Sequence, residues 1–442
     1  MNTYKVPSLF RLGWPLFVEM ALLVFMGNVD VFMISRFSED AMGAVGVSNQ
    51  LIQFSIIMFG FVSAGATVII SQYIGAEKHT DAKNVAGIAI ICSFIFGLVI
   101  SLVYTFAGPY LLLIMDLEEH MMNDALRFLR IVGGFIFLQA VLTCINAVLR
   151  SYGNTRDTLV VTIVMNIISI SGNVLFLFGF FGLPVLGVFG VAASTSFSRM
   201  IAIFLAMFFL FRTIGNPFKY LKINQFWGYA KKILKIGIPS AGENMSYSGY
   251  QIFLTAIVTT MGPVALSARI YSRAINMFMV LVVSTIGQAG QIILGQLMGQ
   301  KEFDEMYRRA FRHLKISLIA SVACAFMFFI FSPWLMRIFT DNEEIISLSR
   351  IIFGVFIFQE FGRSFNVILI TSLRAAGDVQ FPVYVGVGVM WGVGALMGFV
   401  LGVVFDMGLV GVIIGTSLDE CVRGIIMLFR WKSRKWQTKG LT

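Results

Sequence analysis

Long apolar runs follow one another along this chain of 442 residues, with only short polar stretches between them. A helix needs about 20 apolar residues to cross the hydrocarbon core of a bilayer. Segments of that kind lie near 12–35, 46–74, 85–115, 126–149, 158–182, 186–211, 230–260, 265–298, 312–339, 349–372, 381–405 and 408–430. Only 13% of the residues are charged, against about 25% in typical soluble proteins. The pattern therefore predicts an all-α membrane protein with twelve transmembrane helices.

Basic residues concentrate in alternate loops of this predicted arrangement. The N-terminus, the loops after even-numbered helices and the C-terminal tail together hold 23 of the 33 Lys and Arg residues, whereas the opposite loop at 340–344 is acidic. Cytoplasmic loops of membrane proteins carry such a basic excess. We therefore expect a multi-pass protein of the cell inner (plasma) membrane with both termini cytoplasmic. Contact with anionic lipid accounts for the net charge of +10, and no nucleic-acid partner is expected.

The second half of the chain repeats the first at an offset of 224 residues. Matches of polar residues and of Gly or Pro at one fixed offset carry more information than apolar matches in an apolar chain. These matches are Gly13 with Gly237, Pro15 with Pro239, Glu19 with Glu243, Gln72 with Gln296, and Arg150 with Arg374. The repeat indicates that the chain consists of two copies of one six-helix unit.

Three regions follow from the repeat. An N-terminal six-helix lobe is predicted over residues 1–212, a basic cytoplasmic connector over 213–235, and a C-terminal six-helix lobe with a basic tail over 236–442. Six is an even number, so both lobes enter the membrane from the same side, related by a pseudo-twofold axis along the membrane normal. Two such lobes suit transport by alternating access.

Polar residues inside the predicted spans of the first lobe are candidates for an ion pathway, because a buried charge in a membrane is costly. Glu19 and Asp30 are eleven residues apart, and Asn166 and Asn173 are seven apart, so each pair lies on one helix face. A carboxylate in apolar surroundings binds a proton more tightly. Asp30 is therefore a candidate proton carrier or, with Asn oxygens, a Na⁺ ligand.

Each of these candidates also has a structural interpretation. Asp30 could pair with Arg36, Glu19 could brace the start of its helix as its repeat partner does, and the two asparagines could connect helices. On the second helix, Asn49 and Gln53 are candidate substrate contacts.

The second lobe carries more charge. Glu243 and Glu360 are candidates for attracting a cationic substrate, and Arg273 lies one turn from Arg269. Glu360 and Arg363 are three residues apart, as are Glu420 and Arg423, a spacing that favours ion pairing on one helix face. The open alternatives are a static ion-pair network and a charged substrate site.

The sequence contains no nucleotide-binding Walker motif, no zinc-binding motif and no paired catalytic residues. We therefore expect a protein that is not an enzyme and has no cofactor, in which H⁺ or Na⁺ supplies the energy. The expected partners are small-molecule drugs or organic cations and the lipid bilayer, and the protein is expected to act as a monomer.

Several short stretches, in their order along nearly the whole chain, resemble the multidrug and toxic compound extrusion (MATE) transporters. They are Gly13-Trp-Pro15, Val29-Asp-Val-Phe-Met-Ile-Ser35, Ala44-Val-Gly46, Gln72-Tyr-Ile-Gly75, Leu149-Arg-Ser-Tyr-Gly-Asn154 and Leu373-Arg-Ala-Ala-Gly-Asp378. The resemblance implies export of drugs or organic cations in exchange for H⁺ or Na⁺ through rocking of the two lobes. It also implies that Asp30 is a coupling residue and that Asn173 works with it, although Leu177 stands where one branch has an aspartate.

Two other functions remain open at this point. A flippase for lipids or lipid-linked oligosaccharides belongs to the same broad superfamily, and a basic cavity around Arg199, Arg269 and Arg273 would favour it. A channel or a membrane-embedded enzyme is disfavoured by the two-lobe repeat and by the absence of a catalytic constellation.

Overall fold

The computed structural model describes residues 6–115, 117–179, 184–219, 221 and 223–441, apart from the side chains of Asn28, Val31, Ile223 and Asn224. Within these ranges the chain is almost entirely helical and contains no strand, so the predicted all-α class is confirmed. The helices are α1 Leu9–Ser35, α2 Glu39–Gly75, α3 His79–Ile114, α4 Glu119–Phe128, α5 Ile136–Ser151, α6 Thr155–Phe178, α7 Gly187–Ile214, α8 Ile223–Thr259, α9 Pro263–Gly299, α10 Phe303–Met336, α11 Glu343–Ala375, α12 Gln380–Val389, α13 Leu396–Phe399 and α14 Gly408–Lys432.

Length and hydropathy single out the helices that can cross a membrane. Among the described residues nine helical stretches meet both requirements, and a tenth does so when α4 and α5 are taken together across their 41° bend. The two other long helices, α8 and α14, carry Glu243 and the Asp419–Glu420 pair within their length. Twelve crossings therefore stay a prediction, and proteins with this many apolar helices are multi-pass membrane proteins.

Local unwinding marks two of the spans. The turn Leu129–Gly133, next to the bend between α4 and α5, is π-helical, and so are Met390–Ala395 and Val400–Val404 on either side of α13. A π-turn inserts an extra residue into the helical hydrogen-bond ladder. Such turns leave no sign in hydropathy, so the sequence predicted single helices over both regions.

The helices belong to two compact units. The N-terminal unit comprises Trp14–Ile74 and Lys78–Ile238, and the C-terminal unit consists chiefly of Pro239–Thr442. The assignment of residues 213–235 as a connector between two domains stays a prediction. Its second half is helical, because α8 begins at Ile223, and its residues Tyr220 and Lys222 lie outside the described part of the chain.

The core of the N-terminal unit is apolar and is built mainly from α2, α3, α5 and α7. Helix α6 packs along α7, and α3 packs along α5. Ile52, Phe59 and Ile136 are among the fully buried side chains of this core. This packing positions α6, whose Thr158 and Asn173 donate hydrogen bonds to carboxylates of α1 within the same unit.

In the C-terminal unit, α11 is the central helix and packs against α9, α10 and α14. Small residues permit this close approach. A Cβ atom added to Gly362 would lie 2.6 Å from Cys421 Sγ, and one added to Gly415 would lie 2.3 Å from the backbone nitrogen of Gly398. The resulting tight helix contacts hold the polar faces of α9, α11 and α14 around a common cavity.

The C-terminal tail folds back onto the C-terminal unit. Trp436 stacks on Trp431 with ring centroids 4.4 Å apart, and both side chains are fully buried. Arg434 pairs with Asp304 at 2.8 Å and lies over the ring of Tyr307. The tail is thus an integral part of this unit.

Candidate functional site

Glu19, a predicted ion-coupling residue, is held in a buried ion pair with Arg150. Thr158 donates a second hydrogen bond to the Glu19 carboxylate at 2.8 Å, and Thr162 donates a third at 3.4 Å. Its exposure is 1%. Because its acceptors are engaged and the site is closed, this geometry favours the bracing role over ion exchange.

Glu243 makes the corresponding contact in the C-terminal unit, an ion pair with Arg374. Both pairs join residues 131 positions apart, so the two contacts are equivalent under the 224-residue repeat. The hydroxyl donors are not repeated, since Pro382 and Gly386 stand at the positions equivalent to Thr158 and Thr162. Glu243 keeps a side-chain exposure of 12%.

Asp30 and Asn173 meet in the N-terminal unit. Asn173 Nδ2 donates to Asp30 Oδ1 at 2.9 Å, which brings α1 and α6 together. The side-chain oxygen of Asn173 is buried and has no hydrogen-bond partner among the described residues. Arg199 on α7 acts electrostatically on Asp30, yet no ion pair described in the structure includes Asp30. A carboxylate and an amide oxygen in this arrangement suit a proton or a hard cation such as Na⁺.

Six carboxylates lie beyond the first two turns of long helices, and Asp30 differs from the rest. They are Glu19, Asp30, Glu243, Glu360, Asp419 and Glu420. The other five each pair with at least one arginine. Of these six, Asp30 alone is in no ion pair in the described ranges, and its side-chain hydrogen bond comes from the neutral amide of Asn173.

The remaining predicted residues of the first lobe are placed differently. Asn166 is buried on α6, two turns before Asn173, and its Nδ2 has no partner within the described chain. Asn49 is half-buried and Gln53 is exposed on α2. The structure therefore brings Asp30, Asn166 and Asn173 to two helices in contact, and leaves Asn49 and Gln53 as predicted substrate contacts.

Glu360 lies in a buried charge network and is not among the residues that line the C-terminal cavity described below. It pairs with Arg363, whose Nη1 also donates to Asn276 Oδ1 at 3.1 Å. Glu420 lies 3.8 Å from Arg363 and 3.4 Å from Arg423. The structure thus pairs these residues as their spacing predicts, and it favours the static-network interpretation for Glu360.

A cavity of about 310 Å³ lies in the C-terminal unit among α8, α9, α11 and α14. The predicted residue Arg273 lines it, together with Arg269 and Arg363. Asp419 and Glu420 contribute the acidic part of the wall, and Phe356 and Tyr247 contribute aromatic surface. The volume and the mixed lining are those of a small-molecule site.

Buried polar atoms without hydrogen-bond partners in the described residues gather around this cavity. They are Tyr250 Oη, Arg269 Nη1, Ser272 Oγ, Asn276 Nδ2, Gln359 Oε1 and Asp419 Oδ1. An unsatisfied buried polar atom costs about 1–3 kcal/mol. A polar ligand or a water molecule in the cavity would form the missing hydrogen bonds and remove this cost. The wall of the cavity therefore favours binding of a polar ligand.

Most of this polar wall was missed in the sequence, although a signal was present. Arg269, Ser272, Arg273 and Asn276 follow the spacing i, i+3, i+4, i+7, which places them on one face of α9. A polar stripe of this kind inside an otherwise apolar helix indicates a lined cavity. Gln359 on α11 had no such signal, because only the packing of α11 against α9 and α14 brings it to the cavity.

Comparison with known proteins agrees with these observations. A family model described as MatE matches residues 15–175 and 239–400, so one match begins at Pro15 and the other at its repeat partner Pro239. The uncharacterized transporter YisQ of Bacillus subtilis is 43% identical over 99% of this chain and 96% of its own length. A probable multidrug resistance protein NorM of Thermotoga maritima is 24% identical over 98% of this chain and 94% of its own.

Solved structures show the same fold. The MATE transporter VcmN of Vibrio cholerae, in a mutant form, has a TM-score of 0.89 at 18% identity and covers 97% of this chain and 98% of its own. A transporter of the MOP superfamily from Pyrococcus furiosus, described as having a binding pocket of reversed polarity that suggests a different function, has a TM-score of 0.86 at 19% identity over 96% of this chain and 95% of its own. With a family model that covers both halves and a relative of 43% identity, the chain belongs to the MatE family of membrane transporters.

Proposed function

We propose that this protein is a secondary active multidrug efflux antiporter that exports amphipathic compounds, including organic cations, in exchange for H⁺ or Na⁺ by alternating access. Family membership and the multidrug resistance proteins among its relatives support the export function. The observation that carries the exchange is that Asp30, unlike the other five carboxylates within long helices, forms no ion pair among the described residues and accepts a hydrogen bond from Asn173.

The chemistry of exchange follows from that state. Glu19, Glu243 and Glu360 are each neutralised by an adjacent arginine, so a cation arriving there would have to displace a guanidinium. Asp30 accepts only the weaker hydrogen bond of an amide. A proton or Na⁺ that binds at Asp30 removes the charge of α1 at this point, and its release restores that charge.

The arrangement in the membrane is part of the proposal. We propose that the protein lies in the cell inner membrane with twelve helices in two six-helix lobes. A pseudo-twofold axis along the membrane normal relates the lobes, and both termini lie in the cytoplasm. The repeated ion pair, Glu19–Arg150 and Glu243–Arg374, supports two equivalent lobes. The paired family matches from Pro15 and Pro239 support them as well.

Efflux from energised membrane vesicles tests the proposal. Ethidium transport would be followed by fluorescence with a H⁺ gradient or a Na⁺ gradient imposed separately. We expect one gradient to drive transport in the wild type and neither to drive it in Asp30→Asn. Asp40→Asn is the matched control, because Asp40 lies in the same unit with an exposed side chain at the start of α2.

Two results would contradict the proposal in different ways. Gradient-driven transport by Asp30→Asn equal to the wild type would remove Asp30 from the coupling step. Absence of transport in the wild type with either ion, for ethidium and for a panel of other amphipathic dyes, would remove the antiporter function.

A flippase for an anionic lipid or lipid-linked sugar is the second candidate function. The observation that favours it is Arg269 and Arg273 in the cavity wall, which have no carboxylate partner in the described residues. Translocation of a fluorescent anionic lipid across proteoliposome bilayers, in the absence of any ion gradient, would distinguish this function from ion-driven export.

A further inference from the structure

Charge is distributed unevenly over the wall of the C-terminal cavity. On the side of α11 and α14, Arg363 and Arg423 are paired with Glu360, Asp419 and Glu420. On the side of α9, the charged group that acts on Arg269 is Arg273, a second cation. No ion pair of the described chain includes Arg269 or Arg273, so these two cations lie on α9 without a carboxylate partner among the described residues.

Arg269 is positioned to receive a ligand. It is 6% exposed, and its Nη2 is held by Gln251 through the side-chain oxygen at 3.4 Å and the backbone oxygen at 3.5 Å. Its other terminal nitrogen, Nη1, has no acceptor within the described residues. A buried guanidinium with one terminal nitrogen held by the protein and the other without an acceptor is positioned to bind an anionic group.

Two further free donors lie on the same face of α9. Ser272 Oγ and Asn276 Nδ2 are buried in the cavity wall without partners in the described part of the protein. They follow Arg269 by three and seven residues, which is one helix face. These donors and the neighbouring cation of Arg273 make the α9 face of the cavity a surface for anionic acceptors.

Access to this face comes from an adjoining groove of about 500 Å³, which shares Tyr247, Gln251 and Arg273 with the cavity. Its wall on α8 includes Ser248, Thr255 and Thr259. The exposed side chain of Arg273 therefore stands where groove and cavity meet. A negative group passing along the groove meets Arg273 before it reaches Arg269.

We infer that the C-terminal cavity binds amphipathic compounds through a carboxylate, with Arg269 as its direct partner, Arg273 as the charge at the entrance, and the aromatic wall as the site of the apolar ring. The inference rests on the proposed export function for its physiological meaning. It adds to the substrates of the transporter a class of compounds that carry an anionic group, whether or not they also carry a positive one.

Binding of a matched pair of fluorescent compounds tests the inference without depending on transport. The pair is 7-(diethylamino)coumarin-3-carboxylic acid and its ethyl ester, which share one ring system and differ in the carboxylate. Fluorescence titration of the purified full chain in detergent would be done for the wild type, Arg269→Gln and Arg273→Gln. Arg350→Gln is the control, because Arg350 is exposed on α11 and does not line the cavity.

We expect the wild type and Arg350→Gln to bind the acid more tightly than the ester. A hydrogen-bonded charge pair contributes enough for about a tenfold difference in affinity or more. Arg269→Gln should lose this preference while ester binding stays unchanged, which also shows that the variant is folded. Arg273→Gln, at an exposed position, should slow acid binding and reduce the preference only in part.

Equal affinity of the wild type for acid and ester would overturn the inference. Loss of acid binding in nanodiscs that contain phosphatidylglycerol, compared with phosphatidylcholine alone, would assign the cavity to a lipid headgroup and overturn it as well. Ion-driven ethidium efflux would then still support the proposed function. Conversely, an Arg269-dependent preference for the acid without any efflux would keep the binding site and contradict the antiporter.

Discussion

The two repeated ion pairs should differ in how much they stabilise the protein. Glu19→Gln and Glu243→Gln each remove one carboxylate of a pair and leave an arginine without its counter-charge. For a buried pair this costs about 3–5 kcal/mol. Arg150 and Arg374 have side-chain exposures of 21% and 23%, so the stranded cations keep some contact with solvent. The lower end of the range, about 3 kcal/mol, is the expected loss for each pair.

The Glu19→Gln variant should lose more stability than Glu243→Gln, because two threonines donate hydrogen bonds to Glu19. Thr158 and Thr162 donate to a charged carboxylate in the wild type and to a neutral amide oxygen in Glu19→Gln. Hydrogen bonds to charged groups contribute about 1 kcal/mol more than neutral ones. The expected total is therefore about 5 kcal/mol for Glu19→Gln and about 3 kcal/mol for Glu243→Gln.

Thermal unfolding of the purified variants in one detergent measures this difference. For units of roughly 200 residues, 1 kcal/mol shifts the midpoint by about 2–4 °C, so Glu19→Gln should unfold about 4–8 °C below Glu243→Gln. The double variant Glu19→Gln/Arg150→Gln should lose less than the sum of the two single changes. Equal midpoints for the two single variants, or a lower midpoint for Glu243→Gln, would refute the role assigned to the threonines.

Three further outcomes are expected. Asp30→Asn should unfold within about 2 °C of the wild type, since no ion pair of the described structure is lost; a large decrease in the same thermal scan would show a bracing role instead. Trp436→Ala should cost about 3–5 kcal/mol through loss of a fully buried ring, measured by the same scan, and an unchanged midpoint would contradict the packed tail. Gly415→Ala should lower the yield of folded protein, because its Cβ would meet backbone at 2.3 Å, whereas Gly388→Ala, with open space around it, should not; size-exclusion profiles of both would decide.

Much of the fold could be predicted from the sequence because lipid imposes a simple rule. An apolar stretch of membrane length must be helical, since backbone groups have no other partners there. The predicted segments accordingly coincide with helices such as α9 at Pro263–Gly299, predicted over 265–298. The π-turns around α13 depend on local hydrogen bonding and leave no hydropathy signal.

The candidate site was only partly predictable, for a physical reason. Asp30 is conspicuous because a lone acid in an apolar run is costly, and its contact with Asn173 came from family resemblance. Whether Glu243 and Glu360 are free or paired depends on which helices lie beside them, and this is not encoded in their own segments. The structure pairs both with arginines, while the α9 face around Arg269 has no counter-charge in the described residues.

The folded tail has a consequence for how the protein is made. Synthesis proceeds from the N-terminus, and Trp436 follows α14, the last of the fourteen helices described. Its burial on Trp431, the pairing of Arg434 with Asp304, and the contact of Lys439 with the loop at Gly377 all need residues that are synthesised after α14. The C-terminal unit is therefore completed only after the last of its helices has been made. Until then Trp431 stacks on Tyr307 alone, and a stop codon before Trp436 would leave this unit without one of its buried rings.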